Sequence, residues 1–317
     1  MIYEYEKYKC TSDNLKETLQ KYGVAIIPNV IDEIQCTEMF SGTWDFFEHV
    51  SQQWDEPIDR LLPDSWDLLL DLEPNFNMLY SKCNVGHLQH SWNLRQNPKI
   101  VDIFANFWNV NKTDLLVSFD GLSFLPPPEI TWFGYADQTK YWFHLDQSVS
   151  KPLFEGIQSF ITALDVEEGD ATLYIYEGSH LLINEFVTNF GVRTESDWYM
   201  MNEDEIKFIS DRCNMRAIKC PKGSLVVWDS RVVHCGMGVL RDRKNANFRC
   251  INYLSYMPRS TATESIIAKR IIGFENIQTS NHYANIATFF PSHINKFITT
   301  IDKPILTGLG KRLVGYI

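Results

Sequence analysis

From Leu115 to Tyr256 the chain offers a succession of short, apolar, strand-like runs with almost no helix between them, and this limits the fold more than any other feature. The runs lie at 140–146, 156–166, 171–176, 215–219, 223–228 and 247–256. Before them comes LLVSFDGLSFLPPP, a strand that its closing prolines forbid to continue. Gly, Pro and acidic turn residues separate the runs. Parallel strands need long, usually helical, crossovers, so closely spaced strands of this kind pair antiparallel in a sandwich or barrel. One helical insert interrupts them at 181–211, with NEDEIKFISD and the aromatic pair Trp198 and Tyr199, and is expected to shape one side of a pocket.

Helical patterns flank this core. Residues 12–22 read as an amphipathic helix with Ser12 as N-cap and Gly23 as its stop, followed by a strand Val24–Ile27. A second helix is expected from Asp32 to Val50, with Met39, Phe40, Trp44 and Phe47 on one side. A third starts at Asn97-Pro98 and runs to Trp108. Residues 51–90, broken by prolines, read as loops and short helices. Beyond Pro258 a helix is expected at 261–276, and the tail past Thr299 carries little signal. The expected organisation is one domain over 1–317: a helical support region 1–114, a core 115–258 and a C-terminal helical region 259–317.

The chain has 317 residues, 44% of them hydrophobic, enough for a large core. A formal net charge of −11 disfavours nucleic acid and anionic membranes, although Arg241, Arg243 and Lys244 form a small basic group. The seven cysteines are scattered, odd in number and without a CxxC pair, which argues against a disulfide framework or a structural zinc site. MIYEYEKYKC has no apolar signal-like core, and no apolar run approaches the ~20 residues of a membrane span. A soluble cytoplasmic protein is expected.

The chemistry concentrates in three segments. YWFHLD places His144 and Asp146 two residues apart, hence on one face of a strand, where both can reach one metal ion. The third donor best placed to join them is His234, ninety residues on, at the end of PKGSLVVWDSRVVH and beside Gly236 and Gly238. Two histidines and one carboxylate on one face of an iron leave positions open for a co-substrate and dioxygen. Taken singly, an H-x-D pair arises by chance and an isolated histidine is more often a satisfied core residue. FRCINYLSYMPR opens a strand at Arg249, whose guanidinium can grip a dicarboxylate through a bidentate fork or lie on an edge strand in solvent. His87 and His90 are near neighbours without a third donor and read as ordinary polar residues at an element boundary.

In this order, YWFHLDQS, DATLYIYEGSHLL, KGSLVVWDSRVVHCG and RCINYLSYMPRS resemble the phytanoyl-CoA dioxygenase family of iron(II)- and 2-oxoglutarate-dependent oxygenases. YGVAIIPNVID and LRQNPKIVDIFANFWNVNKTDLLVSFDG extend the likeness upstream, so that it covers roughly 12–290. The resemblance implies an α+β fold with a double-stranded β-helix (jelly-roll, cupin-like) core. It implies Fe(2+) on His144, Asp146 and His234, with 2-oxoglutarate and O2 as co-substrates and ascorbate as a stimulant. Arg249 would bind the far carboxylate of 2-oxoglutarate, with Arg243 as a rival because the spacing from His234 is long. Ser118 and Trp142 would adjoin the cofactor, and Asp120 and Gln147 the pocket wall. Asp229 and Arg231 would support the ligands, and His180 would be structural. The implied reaction hydroxylates a C–H bond of a small molecule and releases succinate and CO2. Two other readings stay open: a catalytically silent barrel that binds a ligand or partner, and a cupin-type dioxygenase that does not use 2-oxoglutarate. Substrate and oligomeric state are not legible.

Overall fold

The computed structural model describes residues 2–194 and 196–316. Two six-stranded sheets pack face to face at its centre. The first, the helix-backed sheet, runs in space Val24–Ile27, Leu225–Asp229, Ile157–Thr162, Arg249–Tyr253, Leu122–Leu125 and Leu79–Tyr80, antiparallel throughout. The second, the site sheet, runs Tyr3–Glu4, Met215–Ile218, Thr172–Tyr176, His234–Met237, His144–Leu145 and Tyr199–Met200. Its only parallel pair, among the described residues, is Tyr3–Glu4 along Met215–Ile218.

Period-two alternation sorts the side chains of these strands. Val24 and Ile26 point between the sheets with Phe160, Val226 and Trp228, and meet Leu173 and Ile175 of the site sheet. Ala25 and Ile27 point the other way, with Ile161, Leu225 and Val227, onto the helices. Both faces are covered, which is why VAII and LVVW read as continuous apolar runs. The covering helices are Glu33–Ser51 and Pro98–Trp108. Asp32 caps the first through a reciprocal box with Gln35, and its Trp44 and Phe47 meet Phe124 at ring separations of 5.0 and 5.1 Å. Each such buried aromatic or aliphatic side chain stabilises the fold by ~1.5–3 kcal/mol. On the outer face of the site sheet, the insert helices Ile183–Phe190 and Glu203–Ser210 set Phe186, Phe208 and Ile209 on Tyr174, Tyr176 and Ala217.

Several elements differ from the sequence reading. The first helix is Leu15–Tyr22, with Asn14 rather than Ser12 at its N-cap; the Asn14 Oδ1 accepts from the Thr11 N–H and so gives the helix no side-chain cap. LLVSFDGLSFLPPP forms two strands. Leu115–Val117 pairs with Tyr256–Pro258 in a separate ribbon, and Leu122–Leu125 joins the helix-backed sheet. The break falls at Gly121, where a Cβ would lie 1.9 Å from the Tyr80 carbonyl oxygen. The run 140–146 contributes only His144–Leu145 as strand. The region read as helical support supplies edge strands to both sheets, at Tyr3–Glu4 and Val24–Ile27. The tail forms a helix, Gly308–Val314, capped by Thr307. All seven cysteines are free, and among the described residues no helix is long and apolar enough to cross a membrane.

Candidate metal centre and its cavity

Sheet register assembles the centre. His234 lies directly opposite His144 in the antiparallel pair of their strands, so both imidazoles rise from the same face. Their ring centroids are 4.3 Å apart. Asp146 follows His144 by two residues and is pinned there by its N–H, which donates to the Ser230 carbonyl at 3.1 Å. His144, Asp146 and His234 are 4%, 6% and 3% exposed. Among the described residues they form the only group of three metal-type donors, with donor atoms within 4.8 Å of one another.

The protons of the two rings can be placed. His144 Nδ1 lies 3.0 Å from the Trp142 carbonyl oxygen and His234 Nδ1 lies 2.8 Å from that of Val232. A carbonyl only accepts, so each Nδ1 carries the hydrogen of that bond and each Nε2 is the nitrogen that faces inward. Those Nε2 atoms sit 3.3 and 2.9 Å from the two oxygens of Asp146. Burial lowers the pKa of His144 despite the carboxylate beside it, which favours the neutral ring. Burial alone would raise the Asp146 carboxyl, but His144, His234 and His282 outweigh it and hold it well below the usual range. Two ring nitrogens facing one carboxylate call for positive charge between them, as protons or as a single cation. Donors in adjacent positions about 2.1 Å from one metal ion would sit about 3 Å apart, which these separations match. The residues therefore fit a divalent ion.

The ring of His144 is held from the side. Trp142 stacks on it at 4.6 Å and 8°, Phe76 stacks on Trp142 at 3.7 Å, and the Trp142 indole donates to the Gly236 carbonyl at 2.7 Å. His282 comes from the segment after the C-terminal helix Glu264–Glu275 and places its Nε2 3.1 Å from the Asp146 carbonyl oxygen.

The three donors line a cavity of about 500 Å³ that opens between the sheets. Arg249 lines it too. Its strand belongs to the helix-backed sheet, but the guanidinium reaches across to donate to the Ala171 carbonyl at 2.8 Å and bonds Ser123 Oγ at 2.9 Å. The residue is 6% exposed, and among the described residues no carboxylate pairs with it. Arg243 is placed elsewhere and is already engaged, with Asp170 at 2.9 Å and Glu129 at 2.7 Å. Two further donors on the cavity wall, Gln158 Nε2 and Trp228 Nε1, are buried without a partner.

Other residues singled out in the sequence lie apart. Ser118 is fully buried away from the cavity and its Oγ accepts from the Ser255 N–H, because Leu115–Val117 belongs to the separate ribbon. Gln147 does not line the cavity; its amide donates to the Lys151 and Leu153 carbonyls and closes that loop. Asp229 and Arg231 pair with each other at 2.7 Å rather than with a ligand. His180 Nε2 bonds the Gln20 carbonyl at 3.1 Å. His87, 2.9 Å from the Gln278 carbonyl, and His90 line a different hollow of about 730 Å³ that gathers no such donor trio. Asp120 does line the central cavity, where burial and the charge of Asp146 push its carboxyl up against the pull of His282 and Arg95. The sequence reading passed over His282, Asn281, Gln158 and Trp228. SNHYAN carries no periodic signal, and Gln158 and Trp228 sit in runs that read simply as strand.

Comparison with known proteins came to the same neighbourhood. No protein-family model matches the chain. It is 26% identical over 210 residues to "Ava biosynthesis cluster protein O" of Aspergillus versicolor, a match that covers 62% of this chain and 64%, just under two thirds, of that protein. It is 24% identical over 282 residues to a "Putative phytanoyl-CoA dioxygenase" of Dictyostelium discoideum, covering 78% of this chain and 76% of that one. The crystal structure of a hypothetical protein from Escherichia coli superimposes with a TM-score of 0.62 at 10% identity, over 100% of this chain and 86% of the other, and so shares the fold. In sequence the chain is thus similar to a protein named as a phytanoyl-CoA dioxygenase, and in fold to the Escherichia coli protein.

Proposed function

We propose that this protein is an iron(II)- and 2-oxoglutarate-dependent dioxygenase that hydroxylates a C–H bond of a small molecule and releases succinate and CO2. The observation that carries the proposal is the pairing, in one buried cavity, of a His–Asp–His trio with a guanidinium that has no carboxylate partner. The name of the Dictyostelium relative supports the same reading. On it, the two sheets are the halves of a double-stranded β-helix, since strands from Ile157 to Tyr253 pass repeatedly from one sheet to the other. Residues 115–258 form the catalytic core of a single domain.

His144, Asp146 and His234 would hold the iron, which when bound supplies the activation of dioxygen. Arg249 would pair with the far carboxylate of the keto acid through its fork. Gln158 Nε2 and Trp228 Nε1 offer unused donors to the same anion. Trp142, wedged between Phe76 and His144, keeps water off one side of the metal and fixes the ring that binds it.

The test is succinate release with iron(II), 2-oxoglutarate and ascorbate, alongside calorimetric titration of 2-oxoglutarate. Wild-type protein binds the keto acid and turns it over, and His144→Ala does neither. Equal succinate release from both proteins, with no keto-acid binding, would sink the assignment in favour of a silent barrel.

A further inference from the structure

The cavity carries more acid than the proposed metal and keto acid can use. The inference below rests on that reading and extends it to the substrate. A ferrous ion, Asp146, Arg249 and a doubly charged keto acid neutralise one another. Two further carboxylates line the cavity, Asp120 and Asp197. Asp120 takes one hydrogen bond, from the Gly121 N–H to Oδ1, and among the described residues no ion pair engages it. Arg95 approaches from behind but donates to main-chain carbonyls of Gly86 and Asp120. Asp197 accepts from Asn281 Nδ2 at 2.6 Å. Asn281 itself is 6% exposed, lines the cavity, and leaves its Oδ1 without a donor. A buried acceptor left unpaired in this way costs free energy until a ligand supplies an N–H or O–H.

Permanent charge of the opposite sign is confined to one of the described residues, with His282 the one further histidine beside the metal trio. Among the described residues lining the cavity, Arg249 is the only Lys or Arg. Phosphate groups are recognised by clustered Arg and Lys, so an acyl-CoA would meet the wrong potential here. Much of the remaining wall is aromatic, including Trp142, Trp198, Phe76 and Phe290. Trp198 lies 5.6 Å from His144, centroid to centroid, close to where chemistry would occur. Aromatic faces attract cations and disfavour anions.

We propose that the substrate is a small nitrogen cation, an amine or its substituted relative, with its charge on the Asp120–Asp197 side and its carbon skeleton among the aromatic rings. Asp120 and Asp197 are then specificity residues, and Asn281 Oδ1 accepts a hydrogen bond from the ligand.

Equilibrium dialysis under nitrogen tests this with the full chain, iron(II) and 2-oxoglutarate. The probes are 2-phenylethylamine, 3-phenylpropanoate with nearly the same skeleton, and octanoyl-CoA. The amine is expected to bind at least tenfold more tightly than either anion. Asp120→Asn, a near-isosteric change, lowers amine affinity at least fivefold and leaves 2-oxoglutarate retention unchanged. Asp197→Asn gives the same reading should the first variant not fold. Equal retention of the three probes, tighter binding of an anion, or an amine preference that survives both substitutions overturns the proposal. The keto acid is followed in the same cells. Its loss with the amine preference intact would reject the co-substrate reading and leave the substrate class standing.

Discussion

Replacing Arg249 by methionine separates ligand binding from folding. The substitution keeps most of the apolar stem and removes a guanidinium that is 6% exposed and faces no carboxylate. In the ligand-free protein the loss is small. Two hydrogen bonds go, to Ser123 Oγ and the Ala171 carbonyl, at ~1–3 kcal/mol together, but an uncompensated buried charge, itself costly to desolvate, goes with them. With 2-oxoglutarate bound, the same change strands a buried carboxylate, and breaking one side of such a pair costs about 3–5 kcal/mol. The expected result is a rise in the dissociation constant for 2-oxoglutarate of about two to three and a half orders of magnitude, with a change in unfolding free energy of no more than ~1 kcal/mol. Arg243→Met is the control. It breaks pairs with Asp170 and Glu129 and should reduce stability while leaving keto-acid affinity within threefold. The assay is calorimetry on anaerobic, iron-loaded protein, with urea denaturation of the ligand-free forms. Near wild-type affinity in Arg249→Met, or loss of affinity in Arg243→Met, would refute the reasoning and return the role to Arg243.

Other predictions concern the metal, the acid limb and one glycine. Manganese(II) at about a hundred times its dissociation constant should raise unfolding free energy by about 2.7 kcal/mol in wild type, and Asp146→Ala should abolish the rise in a thermal melt. His87 is fully buried among Trp92, Phe119 and Phe274, and burial pushes its pKa down to about 3. The unfolded chain takes up a proton near pH 6.5 and the folded one does not, so stability is full above that pH and falls below it, by about 2 kcal/mol at pH 5. Burial pushes His90 down to about 3 as well, so His87→Phe should make this part of a urea-denaturation pH profile shallower, and an unchanged slope would remove His87 as a cause. Gly86→Ala would place a Cβ 2.0 Å from the Phe119 carbonyl oxygen and near Thr279. It should cost at least ~2 kcal/mol in denaturant melts and weaken ligand binding, because the displaced segment carries Asn281 and His282.

The placing of His144 and Asp146 on one face was legible because strand geometry is local. An H-x-D spacing puts two side chains on one face wherever it occurs on a strand. The sequence did not contain the register that sets His234 opposite His144, since pairing depends on turns and packing far from either residue. The choice between Arg249 and Arg243 was legible only as a preference for Arg249, which begins a strand. Arg243 lies in the polar turn before that strand, and only its ion pairs with Glu129 and Asp170, the former 114 residues away, show that it is occupied. Ser118 was misplaced because a single apolar run held two strands, and the close Tyr80 main chain that requires glycine at 121 lies far off in sequence. His282 was invisible for the opposite reason: it lies on irregular backbone, where no periodicity marks which way a side chain turns.

The pairing of His144 with His234 also has a bearing on how the polypeptide matures. A slip of one residue between these strands would send one imidazole to the far side of the sheet, so a misaligned intermediate could not chelate. Iron present during refolding would act as a proofreader, trapping chains whose strands have zipped correctly and leaving the misthreaded ones free to reopen.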